Sequence, residues 1–343
     1  MTNLSDNSNC KIAVDALGSD FAPRNDVVGA LQAFNERKDF ELLLVGEKSK
    51  ILEVIKKENL SFPEENIFHA PEHIKMSDSP TAAIRTKKNS SIVVGAQLVK
   101  DKKADAFVSA GNTGAVLAAS TLIIGRIPGV GRPTIGASFP NETGKFTLLF
   151  DAGASVDSKA QHLFEYAILG TIFSQEIYGI EKPKVGLLSV GEEEEKGNEL
   201  TFAAHKLLKE SKLNYVGNVE GRDVLNGNID VIVCDGFVGN IVLKFGESVI
   251  GFLKAKLRSY ADSGILNKFK ALMTKSALKV ALRDMDYQHH GGIPLLGVNG
   301  ISIIGHGSST PLAIKNMVLR AKEMHELNIL QKFEESIKEY AIK

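Results

Sequence analysis

Short runs of apolar, often β-branched residues alternate along this chain with Gly-rich polar turns and helical stretches. The runs are continuously apolar rather than alternating, which is typical of parallel strands buried on both faces of a sheet. Six of them, with the turns that follow, are Ile12–Asp15 with LGSDFAP, Ala106–Ser109 with AGNTG, Thr147–Asp151 with AGASVD, Val185–Val190 with GEEEEKGNE, Val231–Asp235 with GFVGN and Ile301–Ile304 with GHGSSTP. Strands that alternate with helices indicate crossover units, so we predict a three-layer α/β/α fold with a mainly parallel sheet.

Polar or glycine residues stand where these predicted strands end. They are Asp15, Ser109, Asp151, Gly191, Asp235 and Gly305. In open α/β sheets ligands bind in the crevice outside the carboxyl ends of the strands. Any one of these loops is equally well explained as an ordinary turn, but six loops of the same kind favour a ligand site.

Length and composition narrow the class of protein. We predict that residues 1–9, which are polar, form a disordered leader and that 10–343 form a single α/β domain, although 343 residues also allow two. No signal peptide and no uninterrupted run of about 18 apolar residues is visible. Two cysteines allow neither a disulfide framework nor a Cys-based metal site, which favours the cytoplasm. Balanced charge, 41 basic and 41 acidic residues, argues against bulk nucleic-acid binding.

One segment, residues 248–283, differs from the rest in charge. It holds eight basic residues and one acid, Asp262, with apolar residues at helical spacing between the lysines. A basic amphipathic helix of this kind can lie on an anionic membrane or meet an acidic partner. The ordinary alternative is a solvated helix that packs on the core or at a dimer contact.

Two loops have the composition of anion sites. In GHGSSTP, Gly307, Ser308 and Ser309 precede a helix whose exposed amides and dipole favour negative charge. In AGNTG, the glycines allow close backbone approach while the polar pair offers neutral donors; its residues are Gly111, Asn112, Thr113 and Gly114. Both loops also fit plain helix capping without a ligand.

Three residues are candidates for catalysis. His306, between two glycines, suits hydrogen bonding to a phosphate or an oxyanion, or proton transfer, although a lone histidine is often structural. Asp235 ends a strand and Asn240 follows it by five residues, so a general base, an orienting group or a helix cap all fit. Cys234 lies in an apolar strand, where a buried thiol is inert.

Other patterns indicate neither a metal nor a cofactor. GEEEEKGNE does not match a calcium loop and reads as a solvated loop or an acidic helix start, while the His289–His290 pair lacks ligand spacing. GxGxxG, GxxxxGK[ST], GxSxG, HExxH and paired CxxC are all absent. These absences weigh against dinucleotide-binding, P-loop, nucleophile-elbow and zinc enzymes.

Taken together, the loops resemble those of the bacterial phosphate acyltransferases of phospholipid synthesis. Nine stretches carry the resemblance, in order from Ile12 to Ser309: IAVDALGSDFAP, SAGNTGAVLAAS, GRIPGVGRPTIGASFP, LFDAGASVD, VGLLSVGEEEEKGNEL, VGNVEGRD, VIVCDGFVGNIVLK, GGIPLLGVNG and GHGSS. The chain departs from the usual pattern at a few positions, none of which removes an obvious catalytic group: Leu17, Ser19, Ala152, Ser155 and His289–His290.

The resemblance implies transfer of a long-chain acyl group from an acyl carrier protein to inorganic phosphate. It also implies a homodimer, a fold akin to phosphotransacetylases and isocitrate/isopropylmalate dehydrogenases, and a cytoplasmic enzyme that contacts the membrane or a membrane acyltransferase. Protruding helices in the basic segment would make that contact or dock the carrier protein, through Lys268, Lys270, Lys275 and Lys279. Alternatives are a phosphotransacetylase that uses short acyl-CoA, an NAD-dependent decarboxylating dehydrogenase and a non-catalytic membrane scaffold.

Overall fold

The computed structural model describes residues 10–281, 283 and 287–341. The predicted leader, 1–9, lies outside these residues. Contacts divide the chain into two compact units: unit 1 comprises Met1–Gly136, Thr171–Glu181 and Gln288–Lys343, and unit 2 comprises Ala137–Gly170 and Lys182–Tyr287. This division does not test whether 10–343 form one domain, which stays a prediction.

The six apolar runs form strands at the predicted places, with ends that shift by one or two residues. In chain order the strands of the described residues are β1 (Cys10–Asp15), β2 (Phe40–Gly46), β3 (Ile67–His69), β4 (Ala106–Ser109), β5 (Thr134–Pro140), β6 (Phe146–Phe150), β7 (Val185–Leu188), β8 (Tyr215–Val219), β9 (Val231–Val233), β10 (Ile293–Leu296) and β11 (Ile301–Ile304).

Helices separate most of these strands, and polar side chains cap several of them. The helices are α1 (Arg24–Glu36), α2 (Lys48–Lys57), α3 (Pro80–Thr86), α4 (Ser91–Lys100), α5 (Thr113–Ala119), α6 (Ala160–Tyr178), α7 (Glu199–Lys209), α8 (Asp223–Asn226), α9 (Gly236–Asp262), α10 (Ile265–Ala281), α11 (Pro311–Glu326) and α12 (Ile329–Ala341). Capping oxygens accept amide protons at the starts of α4, α5, α7, α9 and α11, from Ser90, Asn112, Asn198, Asp235 and Thr310.

Unit 1 contains strands in the order β3-β2-β1-β4-β11-β10, with the start of β5 beside β10. The pairs from β3 to β11 are parallel, and β10 runs antiparallel to both of its neighbours. Central strands are buried on both faces: Ile12, Phe107 and Ile303 have no exposed surface. This burial explains their continuously apolar sequences.

Unit 2 contains a parallel set in the order β6-β9-β7-β8. The prediction of a mainly parallel α/β fold is therefore confirmed. The basic segment 248–283 is helical in its described part, and it consists of the second half of α9 followed by α10.

Helix α9 is longer than the sequence pattern indicated. It begins at Gly236, and an 18-residue window within it is apolar enough, by length and composition, to cross a membrane, with 11% of that window buried. Lys244 and Glu247 interrupt the apolar run, so the sequence contains no uninterrupted apolar span at this place. A single helix of this kind is weak evidence for a membrane crossing.

Candidate active site

Three loops of unit 1 meet at one edge of its sheet. Because β1, β4 and β11 are parallel neighbours, the segments that follow them share that edge. The amide of Gly305 donates to the Ser109 carbonyl at 2.8 Å, and the amide of Asp20 donates to the Gly307 carbonyl at 2.7 Å. We call residues 16–20, 110–114 and 305–309 the three-loop cluster.

A buried carboxylate joins two of these loops. Asp15, 1% exposed, accepts the Leu17 amide at 2.9 Å and the Ser109 hydroxyl at 2.7 Å. The Ser109 oxygen in turn accepts the Gly111 amide at 3.1 Å. A Cβ on Gly18 would lie 2.8 Å from that amide nitrogen, so the loops touch backbone to backbone. Burial raises the pKa of the Asp15 carboxyl above its ordinary value.

A second buried carboxylate, which the sequence analysis missed, supports the same edge. Asp26, in α1, accepts the amide of Ser19 at 3.2 Å and its hydroxyl at 2.6 Å. Burial raises the pKa of Asp26 to about 7, and the nearby charge of Asp15 acts in the same direction. Two acids therefore lie beneath the loop that connects β1 to α1.

The loop after β4 uses its side chains largely for support. The Asn112 amide group donates to the carbonyl oxygens of Lys75 and Met76, each at 3.1 Å, and its oxygen caps α5 by accepting the Ala115 amide at 3.0 Å. Thr113 is exposed at the first position of α5. Amides in the first turn of a helix have no intrahelical acceptor, so this loop presents donors mainly through its backbone.

The loop after β11 carries the histidine. The amide of Ser308 donates to His306 Nδ1 at 3.2 Å, and the Ser308 hydroxyl lies 2.8 Å from the same atom. Because Nδ1 accepts, Nε2 carries the proton in the neutral ring. The cap of α11 is Thr310, whose hydroxyl oxygen accepts the Ala313 amide and which precedes Pro311 at the start of the helix.

Ser309 is the polar residue of this loop whose side chain lacks a hydrogen bond to the described part of the protein. It is 1% exposed, and its hydroxyl has no hydrogen-bond partner in the described part of the chain. An unsatisfied buried hydroxyl costs about 1–3 kcal/mol. A bound oxyanion at this loop would supply the missing acceptor.

A separate cluster in unit 2 contains the other two catalytic candidates. Asp151, fully buried after β6, accepts the amides of Gly153, Ala154 and Ser155 at 3.1, 2.9 and 2.8 Å. The start of α9 lies against this turn, since a Cβ on Gly239 would come within 1.8 Å of the Asp151 carbonyl oxygen.

Asp235 and Asn240 flank that contact. Asp235 caps α9, its Oδ1 accepting the amides of Phe237 and Val238 at 2.9 and 3.0 Å. The Asn240 amide group donates to the Ala152 carbonyl at 3.4 Å. Cys234 is buried, and burial raises the pKa of its thiol well above the ordinary value, which makes it a poor nucleophile.

The predicted contact residues lie on α10. Lys268, Lys270 and Lys275 are exposed, and the Lys279 side chain lies outside the described part of the structure. Exposed apolar side chains stand between them: Ile265, Leu266, Phe269, Leu272 and Met273, at 64–94%. In the acidic loop, Glu192 and Glu194 form ion pairs with Arg222 and Lys209, so these two glutamates belong to a solvated network.

Comparison with known proteins decides the family. Residues 10–332 match the family described as "Fatty acid synthesis protein". The chain belongs to this family.

Two relatives of this chain share one name, phosphate acyltransferase. A phosphate acyltransferase from Pelotomaculum thermopropionicum is 48% identical over 97% of this chain and 96% of its own length. One from Halothermothrix orenii is 47% identical over 93% of this chain and 96% of its own length. The resemblance to the phosphate acyltransferases is therefore confirmed.

A solved structure agrees with the fold. The crystal structure of a phosphotransacetylase from Streptococcus pyogenes superposes with a TM-score of 0.55 at 18% identity, covering 96% of this chain and 94% of the other. At this identity the likeness shows the fold alone.

Substitution of the buried acid tests its protonation. Because the pKa of Asp26 is raised from 3.8 to about 7, its stabilising proton is held at low pH and lost as the pH rises through about 7. Asp26→Asn mimics the protonated form, so its Tm should fall less than that of wild type between pH 4 and 8, measured by circular dichroism. A residual slope from Asp15, shifted in the same direction, should remain.

A variant at an exposed acid, Asp101→Asn, provides the control and should follow the wild-type profile. Parallel Tm profiles for wild type and Asp26→Asn would show that this carboxyl does not gain a proton on folding.

Proposed function

We propose that this protein transfers a long-chain acyl group from an acyl carrier protein to inorganic phosphate, giving an acyl phosphate for phospholipid synthesis. The observation that carries the proposal is the three-loop cluster, in a chain 48% identical to a phosphate acyltransferase. The cluster supplies neutral donors and backbone amides, and this donor set suits a phosphate anion without a cofactor.

Phosphate binds, in this proposal, between the loops after β4 and β11. Gly111, Gly114 and Gly307 allow the backbone to approach, and hydroxyl donors come from Thr113, Ser308 and Ser309. Asn112 contributes by fixing its loop, since its side chain already holds the 75–76 carbonyls and caps α5. The Ser309 hydroxyl has no protein partner in the described residues, and because its oxygen is buried it would donate to phosphate after a rotation of the side chain.

The reaction we propose is direct attack. A phosphate oxygen adds to the thioester carbonyl carbon, the carbonyl oxygen becomes an oxyanion, and the carrier thiolate leaves as the acyl phosphate forms. A modest nucleophile of this kind needs positioning and oxyanion stabilisation more than activation. An acyl-enzyme on cysteine is disfavoured, because burial raises the pKa of Cys10 to about 12 and that of Cys234 well above its ordinary value.

For orientation, proton handling and oxyanion contact our candidates remain Asp235, Asn240 and His306. His306 suits a donor role, because its Nε2 carries the proton while Nδ1 accepts from Ser308. Asp235 caps α9 through Oδ1, so its catalytic role has to be separated from its structural one.

The exposed face of α9 and α10 is our proposed contact surface. Its lysines complement an acidic carrier protein or anionic lipid, and its apolar side chains suit insertion beside the lysines. We propose a cytoplasmic homodimer that associates peripherally with the membrane or with a membrane acyltransferase.

One assay tests the function. The enzyme is incubated with long-chain acyl carrier protein and phosphate, and acyl phosphate is trapped as the hydroxamate with hydroxylamine. Product that requires both substrates supports the proposal. Product from acetyl-CoA alone would instead support a short-chain phosphotransacetylase, and no product with either donor would contradict both.

Two variants test the catalytic assignments in the same assay. His306→Asn retains an acceptor for the Ser308 amide, and Asp235→Ser retains a helix cap, yet each removes the reactive group. We expect each to lower kcat/KM by at least about 100-fold, the scale of general acid–base catalysis. Near-native turnover in a variant with wild-type circular dichroism would show that its residue is structural.

Charge reversal tests the contact surface. Each lysine near an anionic membrane contributes about 1 kcal/mol, so Lys268/Lys270/Lys275→Glu should weaken flotation with anionic vesicles by at least about 100-fold. Lys56/Lys57/Lys100→Glu, an equal charge change on exposed lysines of α2 and α4, should float like wild type. Equal losses in both variants would point to net charge, and no loss in the α10 variant would refute electrostatic docking there.

A further inference from the structure

Three potential metal ligands converge at the sheet edge of unit 1 opposite the three-loop cluster. Cys10 begins β1, Asp105 directly precedes β4, and His325 lies in the last turn of α11. One ligand atom from each, the sulfur, a carboxylate oxygen and a ring nitrogen, lies within 4.8 Å of the other two. Cysteine, histidine and aspartate together form a donor set typical of zinc.

Backbone pairing places two of the three ligands. The amide of Lys11 donates to Asp105 Oδ2 at 2.7 Å, and the amide of Asp105 donates to the Lys11 carbonyl at 2.7 Å. This exchange fixes the Asp105 carboxylate beside the first residue of β1. The third ligand comes from α11, whose other end starts at the histidine-bearing loop.

Hydrogen bonds and ion pairs within the protein leave most of the ligand atoms able to bind an ion. In the described ranges, neither the Cys10 sulfur nor the His325 ring takes part in a hydrogen bond or an ion pair, and Asp105 uses Oδ2 for the Lys11 amide. Tetrahedral zinc would hold such atoms about 3.5 Å apart. Bringing these atoms from within 4.8 Å of one another to that distance requires small side-chain rotations, which Asp105 and His325, neither of them buried, permit.

The surrounding charge favours a cation. Asp39 and Glu326, together with Asp105, act on the Cys10 sulfur, and one buried cation, Lys322, lies among them. Lys322 pairs with both outer acids, at 3.0 Å from Asp39, and Arg37 pairs with the same two acids, so among the described residues Asp105 is the acid of this group without a cationic partner. A divalent ion would bring its own charge to balance the ligand thiolate and carboxylate.

Against the expectation from the cysteine count, we propose that Cys10, Asp105 and His325 bind a zinc ion that connects the starts of β1 and β4 to the end of α11. On binding, hydrated zinc gives up all but one of its water molecules, and the Cys10 thiol releases its proton to solvent because the ion stabilises the thiolate. Bonds then form from zinc to the sulfur, one carboxylate oxygen and one imidazole nitrogen, with water in the fourth position. Thiolate and carboxylate neutralise the ion, and no electrons are transferred.

Cobalt spectroscopy tests this site directly in the full chain under reducing, oxygen-free conditions. Co²⁺ replaces Zn²⁺ and shows thiolate-to-metal charge transfer in the near ultraviolet only when a cysteine sulfur is bound. We expect this band to saturate at about one equivalent and to disappear on addition of Zn²⁺, with a rise in Tm.

Matched variants test whether the charge-transfer band arises from the Cys10 sulfur. Cys10→Ser should abolish it and weaken zinc affinity by at least about 100-fold, while Cys234→Ser, at the other cysteine, should keep it. His325→Gln, on a half-buried helix end, should weaken zinc affinity even if Cys10→Ser proves unstable. No band in wild type, a band that survives Cys10→Ser, or zinc binding unaffected by His325→Gln would overturn the proposal.

Discussion

The hydrogen bond between the buried Asp15 carboxylate and the Ser109 hydroxyl is the contact on which the three-loop cluster depends. It joins the ends of two parallel strands and, through the Gly111 amide, sets the loop that opens α5. Burying acids beneath a site for an anion carries an electrostatic cost. At Asp26 burial raises the pKa to about 7, which lowers that cost because the protonated carboxyl does not repel phosphate; burial raises the pKa of Asp15 in the same direction.

Unit 2 uses the same device at another strand end. Asp151 follows β6 and accepts three successive amides, which folds residues 152–155 into a tight turn. Gly239 then lets α9 approach that turn. In both units an aspartate at a strand end shapes the loop that follows it; in unit 2 the residues proposed for chemistry lie at the start of α9, which packs against that loop.

Much of this arrangement was visible in the sequence, because continuous apolar runs identify strands buried on both faces. Asp15, Asp235 and the loops after β4 and β11 were predicted from their places after those runs. Asp26 was missed, since an acid inside a helix normally faces solvent and only tertiary packing buries it. The support role of Asn112 also depends on a distant segment, 75–76, which no local pattern places beside it.

The charge composition of the sequence predicted only part of helix α9. The charge contrast marked residues 248–283, yet the helix starts twelve residues earlier, at the Asp235 cap. The cap, rather than the charge pattern, determines where the helix begins, and it connects the proposed contact surface to a catalytic candidate along one continuous helix.

Phosphate binding to Ser309→Ala is the most direct test of the central claim, that the three-loop cluster seats phosphate. The variant removes a buried hydroxyl without a protein partner, so folding stability should be unchanged or slightly higher. By calorimetric titration with inorganic phosphate, we expect Kd to rise at least about tenfold, the effect of losing one hydrogen bond to a charged group. Unchanged phosphate affinity with wild-type Tm would contradict the claim.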